Sequence, residues 1–441
     1  MSGPGGFVVS QTSTPRTKWT LSQITAAVPS SRGAFTFPTP YDTKAWRVTD
    51  SSDCSSGSAD DIWYIGYSYW RNMNYHANSN DIKLFVGTKH TGCLLFTINK
   101  ITDAITKVGP IFGAGELDSR GIPWRAWSGE SWYWCHTLQD WMYIGDRLNW
   151  YRYNVVNHAQ QLWINAVGMW SGVFGSDIEV YQPSSSADDN EHVFTLRRHN
   201  SPNTVLGIGY YKESTGATRF YDCPTANEAA ISQNGRWTFV LEGSEAVGAN
   251  RVYDNTTGAQ IVRRFEQQGN LGHYAAGWDY FVGADNLNSD PNATVLWKAA
   301  PPTTWSYQGV MHRNYDWDLA ALNHYALPKQ TEGNYSNQLV YGSMADRSTY
   351  QNEVTVVRQN SSTDMLIVCP IMTDLDAAGG GTDDYGQFPK GNVDYSGEYF
   401  IWSTNLRGSR LDVFVVKVPT QKLLEPGSPD PPPSGIHIRR G

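Results

Sequence analysis

Histidine, arginine and tyrosine gather at one place in this chain, Met311-His312-Arg313-Asn314-Tyr315, and again shortly after at His324-Tyr325. A guanidinium beside an imidazole or a phenol suits proton abstraction next to a carboxylate. Arg313 would neutralise the acid, while His312, His324 or Tyr325 takes the proton. β-Elimination on a uronate-containing polysaccharide is the reaction such a set serves. His273-Tyr274 stands in a comparable position before a strand-like run. The plainer role of His and Tyr near strand ends is to anchor loops by hydrogen bonds, so the acid–base set is the alternative reading.

Eight tryptophans lie between Trp124 and Trp170. Sugar rings stack their apolar faces on aromatic rings and offer their hydroxyls to amides, carboxylates and guanidinium groups. Trp124 and Trp127, flanked by Arg120 and Arg125 in a loop-like stretch, are the expected carbohydrate platform, with His273 and Tyr274 as further contacts. Trp132 and Trp134 alternate as strand residues do and are expected in the core.

Acidic clusters occur at Asp188-Asp189-Asn190-Glu191, Asp374-Leu-Asp376 and Asp383-Asp384. None has the spacing of a complete calcium loop, so solvated turns are expected and no metal or cofactor is assigned. Gly379-Gly-Gly381 lacks the Lys-Ser/Thr of a phosphate-binding loop. The five cysteines include no CxxC pair, which removes zinc-ribbon and dithiol redox chemistry. Cys135, Cys223 and Cys369 end or follow apolar runs and read as buried thiols, whereas Cys54 and Cys93 could pair in an oxidising setting.

A formal charge of -8 and the absence of any long Lys/Arg run argue against nucleic acid as a partner. No stretch approaches the roughly 18 apolar residues of a membrane helix, so membrane insertion is not expected. The first residues lack the charged and apolar regions of a secretory signal. Charged residues make up 17% of the chain and aromatics 13%, a balance suited to extracellular or virion-surface β proteins.

These residues must be positioned by strands. A small or polar residue followed by a short aromatic or branched run recurs along the chain, with turn residues at Asn80, Gly129, Asn190, Gly235, Gly277, Asn337 and Gly397. Successive gaps of roughly 42 to 61 residues match one four-stranded blade with variable loops. The expected fold is all-β: a seven-bladed β-propeller over residues 34–424, with an N-terminal arm at 1–33 and a Pro-rich C-terminal tail at 425–441. Trp46-Arg-Val-Thr49 is placed to complete the last blade and close the ring. Thr20 to Val28 could form a short helix at most. The tail, Glu425-Pro-Gly-Ser-Pro-Asp-Pro-Pro-Pro-Ser434, is a polyproline-type spacer suited to contact with neighbouring subunits.

Gly397-Glu-Tyr-Phe-Ile-Trp-Ser-Thr-Asn405 with Asp412-Val-Phe-Val-Val416 resembles the blade phrase of secreted propellers of the oligogalacturonate-lyase-like and TolB-like groups. Tyr67-Ser-Tyr-Trp-Arg-Asn-Met-Asn74 looks like the start of a first blade in that group. The resemblance spans most of residues 35–419 and implies the fold. The lyases hold a metal through clustered histidines and a Gln late in the chain. Here no His lies between His324 and His437, so that site does not carry over. The reading that follows is a non-catalytic propeller recognising a glycan or cell-surface polysaccharide, with polysaccharide lyase as the alternative.

Overall fold

The computed structural model describes residues 5–10, 19–53, 62–64, 67–88, 92–118, 132–243, 249–265, 274–284, 293–300, 304–313, 324–328, 339–343, 353–358, 364–375, 387–408 and 410–423. For some of these, 298–300, 304–313 and 324–326 among them, the backbone alone is described. Seven antiparallel sheets follow one another in chain order, each beginning at the axis and ending at the rim. Their inner strands are Ile62–Tyr64, Tyr133–Trp134, Glu179–Ser185, Ala226–Ile231, Tyr274–Ala276, His324–Ala326 and Asn392–Val393. From blade three to blade seven these inner strands pack on one another in succession.

The second strand of each blade is the aromatic, branched run, because both of its faces are covered by neighbouring sheets. In blade one, Ile82, Leu84, Phe85 and Val86 are all fully buried, each contributing roughly 1.5–3 kcal/mol of hydrophobic stabilisation. Six of the seven runs read from the sequence are second strands. The run after Gly129 is not. Tyr133–Trp134 is the inner strand of blade two, and its second strand is Trp141–Gly145. The short aromatic inner strand carries the same composition as a buried second strand, and composition alone does not separate them.

A common turn leads into three of the second strands. Asp394 Oδ1 accepts from Tyr399 N at 2.7 Å, Ser232 Oγ from Trp237 N at 2.9 Å, and Ser186 Oγ from Glu191 N at 3.0 Å. A short polar side chain thus caps an amide five residues on, at the residue that opens the ladder. Gly235 and Gly397 take φ of 78° and 79° within two of these turns, a region that glycine enters without penalty.

Ring closure is as the sequence indicated. Lys44–Arg47 pairs with Asp412–Lys417, placing Ala45 opposite Val416 and Trp46 opposite Val415. Gly33–Thr36 adds a fifth strand to that blade. The arm goes further: Phe7–Ser10 forms a fifth strand on the outer edge of blade six, with Phe7 opposite Ile367. Between them lies the helix Leu21–Ala27, opened by a reciprocal capping box of Thr20 and Gln23. Edge strands of two blades are thereby covered.

Trp132, Trp134, Trp150, Trp163 and Trp170 are buried in one core cluster, as alternation predicts for Trp132 and Trp134. Cys135 and Cys369 are fully buried, and burial pushes both thiols well up. Cys93 and Cys223 are buried too, while Cys54 lies outside the described residues, so its pairing does as well.

Candidate functional site

Residues 67–76, between the inner and second strands of blade one, fill the hub of the ring. Trp134 Nε1 of blade two donates to Asn72 O at 2.6 Å, and Trp70 Nε1 donates to Pro183 O of blade three at 2.7 Å. Tyr69 packs against the blade-four cluster of Ala230, Trp237 and Phe239, and stacks on Tyr274 of blade five at 5.1 Å. Arg71 Nη2 donates to Leu327 O beside blade six at 3.0 Å. Asn392 of blade seven accepts from Asn72 N and donates to Tyr67 O and Trp70 O. The stretch that looks like the start of a blade is therefore an axial plug.

Around the plug lies a buried polar group. His76 Nε2 meets Asp394 Oδ2 at 2.8 Å, and Lys100 Nζ meets His76 Nδ1 at 3.2 Å. The Asp394 carboxyl is lowered: burial alone would raise it, but His76 and the Ser396 and Tyr399 donors outweigh that. The Arg71 guanidinium lies over the Tyr395 ring at 4.6 Å. His136 Nδ1 donates to Ser186 O at 2.9 Å, since a carbonyl can only accept. Burial, reinforced by the charge of Arg71, depresses His136 to about 4 although Asp189 lies 3.9 Å away.

On the face carrying the turns between inner and second strands, an open cleft of about 370 Å³ separates blades two and three. Thr137, Leu138 and Arg152 line it from blade two, Asp188, Asp189, Asn190, Glu213 and Ser214 from blade three. The acidic turn expected to be merely solvated is thus one wall of a cleft. Asp189 takes φ 57°, and its Oδ2 accepts from both Thr137 N (2.8 Å) and Thr137 Oγ1 (2.7 Å). Arg152 lies directly opposite Tyr143 in the ladder and donates to Tyr143 Oη at 3.0 Å. Its Nη2 also donates to Glu213.

Behind Glu213 runs a buried chain. Glu213 Oε1 lies 3.0 Å from His192 Nε2, and His192 Nδ1 lies 2.7 Å from Ser185 Oγ, itself 2.6 Å from Tyr133 Oη. Because an ionised carboxylate only accepts, Nε2 donates to Glu213; in the neutral ring Nδ1 then accepts from Ser185, which accepts from Tyr133. Burial would raise the Glu213 carboxyl, but the His192 and Arg152 contacts lower it. The order Ser185–His192–Glu213 is that of a nucleophilic triad. The hydroxyl, however, is enclosed between Tyr133 and His192 and does not line the cleft, so it serves as a structural link.

Of the residues expected from sequence, His312 and Arg313 end the rim strand of blade five, opposite Thr294 and Ala293. His324 and Tyr325 lie on the inner strand of blade six, opposite Ser343 and Gly342. Rim and inner strands differ in radius by three strand spacings, roughly 14 Å. Strand direction puts both pairs at the ring face opposite the cleft. Tyr274 is buried against Tyr69 and Phe239 in the core. Arg120, Trp124, Arg125, Trp127 and His273 lie outside the described residues. Among the described residues no group of three or more His, Cys, Asp or Glu side chains is placed to hold a metal. His136, Arg152, His192 and Glu213 were not singled out from the sequence. Their one signal was the acidic turn at Asp188-Asp189, which supplies the cleft wall between them.

The architecture is that of a seven-bladed β-propeller, similar in fold to those of oligogalacturonate lyases. The chain superposes on the crystal structure of oligogalacturonate lyase from Vibrio parahaemolyticus with a TM-score of 0.57 and 11% identity, covering 94% of this chain and 99% of that one. It superposes on an oligogalacturonate lyase in complex with manganese with a TM-score of 0.56 and 11% identity, over 93% and 100% of the two chains. No family model and no curated protein matches the sequence.

Proposed function

We propose that this propeller is a non-catalytic glycan-recognition module whose cleft between blades two and three receives sugars that carry no carboxylate. The observation that carries the reading is the state of Arg152. A uronate needs a free cation, and the cleft's guanidinium is already engaged by Glu213 and Tyr143. The rest of the lining, Thr137, Asp188, Asn190, Glu213 and Ser214, offers hydroxyl, amide and carboxylate groups that suit sugar hydroxyls. Surface or virion decoration, with tail residues 425–441 contacting neighbouring subunits, accords with this role.

The test is a glycan-binding panel run beside an ultraviolet assay for unsaturated uronate products on pectate, alginate and ulvan. The expected result is binding without absorbance change, with binding lost in Asn190→Ala/Ser214→Ala. An absorbance rise that disappears in His312→Ala or His324→Ala would establish polysaccharide lyase activity instead. Deleting residues 425–441 should abolish assembly while leaving the propeller folded, and an unchanged oligomer would remove the tail from the reading.

A further inference from the structure

Glu213 is saturated at one oxygen and open at the other. Oε1 accepts from Trp163 Nε1 at 2.8 Å, from His192 Nε2 at 3.0 Å and from Arg152 Nη2. The three donors stand on three strands of two blades. Three donors exhaust what one oxygen can accept. The side chain is 25% exposed and lines the cleft, so Oε2 is the acceptor left for a ligand. Its geometry is set before any ligand arrives, which lowers the ordering cost of binding.

We propose that Glu213 is the specificity-determining residue of this cleft and selects amino sugars, whose ammonium group lies among hydroxyls, over uronates and N-acetylated sugars. The inference rests on the glycan reading of the same cleft and names its ligand class. Asp188 is exposed on the same wall, and its Oδ1 is taken up by Ser186 Oγ and Asn190 N. Three carboxylates therefore line the cleft against one guanidinium, whose Nη2 is held by Glu213 and Tyr143. An ammonium donates three hydrogens and needs no acceptor partner, which suits Glu213 Oε2 and the outer oxygen of Asp188. A uronate would bring a fourth carboxylate into the same space, and like charges reject the wrong ligand. His192 acts here as a positioning residue. It holds Glu213 from behind, and Ser185 and Tyr133 hold His192.

The experiment is calorimetric titration of the full chain with hexamers of glucosamine, N-acetylglucosamine and galacturonate. The glucosamine hexamer should bind about tenfold more tightly than the N-acetylated one, with none detected for galacturonate. Glu213→Gln keeps the shape and removes the charge, so it should erase that preference. His192→Gln, whose amide can still donate, should retain it, and His192→Leu should lose it. The exposed variant Asp188→Asn, whose folding is not at stake, should reduce the preference about threefold. Equal affinity for the amino and N-acetylated hexamers would overturn the proposal and leave the glycan reading standing. Preferential binding of galacturonate would overturn both, as would binding of none of the three together with an empty glycan panel.

Discussion

Arg47 Nη2 donates to Asp412 Oδ2 across 2.6 Å, between residues 365 positions apart in the chain. The two side chains are 8% and 1% exposed. They lie on the paired strands that close blade seven, so one buried ion pair joins the two ends of the ring. Thr49 Oγ1 and Arg410 Nη2 also donate to Asp412, at 3.1 and 2.7 Å. Burial nevertheless keeps its carboxyl above the ordinary range, only partly offset by the two arginines.

Removing one partner of a buried pair strands the other. Arg47→Met should therefore cost on the order of 3 kcal/mol in denaturant unfolding. Arg410 is more exposed, at 27%, and Arg410→Met should cost clearly less. A loss below ~1 kcal/mol for Arg47→Met would mean that Arg410 and Thr49 alone satisfy Asp412.

Stability should fall as the medium becomes mildly acidic, and His136 sets part of the window. Its folded value of about 4 lies below the ordinary 6.5. Between those values the unfolded chain takes up a proton that the folded chain refuses. The contribution is complete above pH 6.5, declines as pH falls and is gone once pH passes below about 4. Its size is about 3 kcal/mol. His136→Asn should flatten the unfolding free energy across this range relative to the unmodified protein. Parallel curves for the two would sink the assignment.

Glycine under an aromatic ring recurs in the blades. A Cβ on Gly145 would fall within the Trp150 ring, on Gly277 within Tyr280, and on Gly391 within Phe400. Gly145→Ala should destabilise by roughly 2 kcal/mol through overpacking. The double variant Gly145→Ala/Trp150→Leu should recover part of the loss, a coupling that thermal melts can read.

Asn392 offers an isosteric probe of the plug. Its Nδ2 donates to the carbonyls of Tyr67 and Trp70 at 3.4 and 3.3 Å. Asn392→Asp would turn an acceptor toward both carbonyls and should cost about 3 kcal/mol near neutral pH. Protonation restores a donor, so the deficit should shrink in acid. A deficit independent of pH would point to packing instead.

The blades were legible because a buried second strand must be branched or aromatic and must follow a tight turn. Both demands are local, and both are written at Asn392-Val-Asp-Tyr-Ser-Gly397 and the strand after it. Ring closure by Trp46 was legible because a circular sheet array needs one strand from its other end. The cleft was not. Thr137, Arg152, Asp189 and Glu213 come from separate turns and strands of two blades, and their meeting depends on how blades abut. Local spacing reports nothing of that. Conversely, His312-Arg313 and His324-Tyr325 are close in sequence, yet their strands belong to the rim of one blade and the inner edge of the next. Tyr69 shows the same limit: it lies in the stretch that looks like the start of a first blade, and only the ring shows it to be the hub's contact with blades four and five.

Arrays of like units ordinarily keep damage private, because each unit answers only to the two beside it. The segment 67–76 takes that privacy away. It behaves as the axle of a spoked wheel, bearing on every spoke at once, so a loosened blade is felt on the far side without passing through the blades between. Such a wheel should come apart in one event rather than blade by blade. Its axle is also made early, from the first blade to leave the ribosome, and waits there for the others to be hung around it.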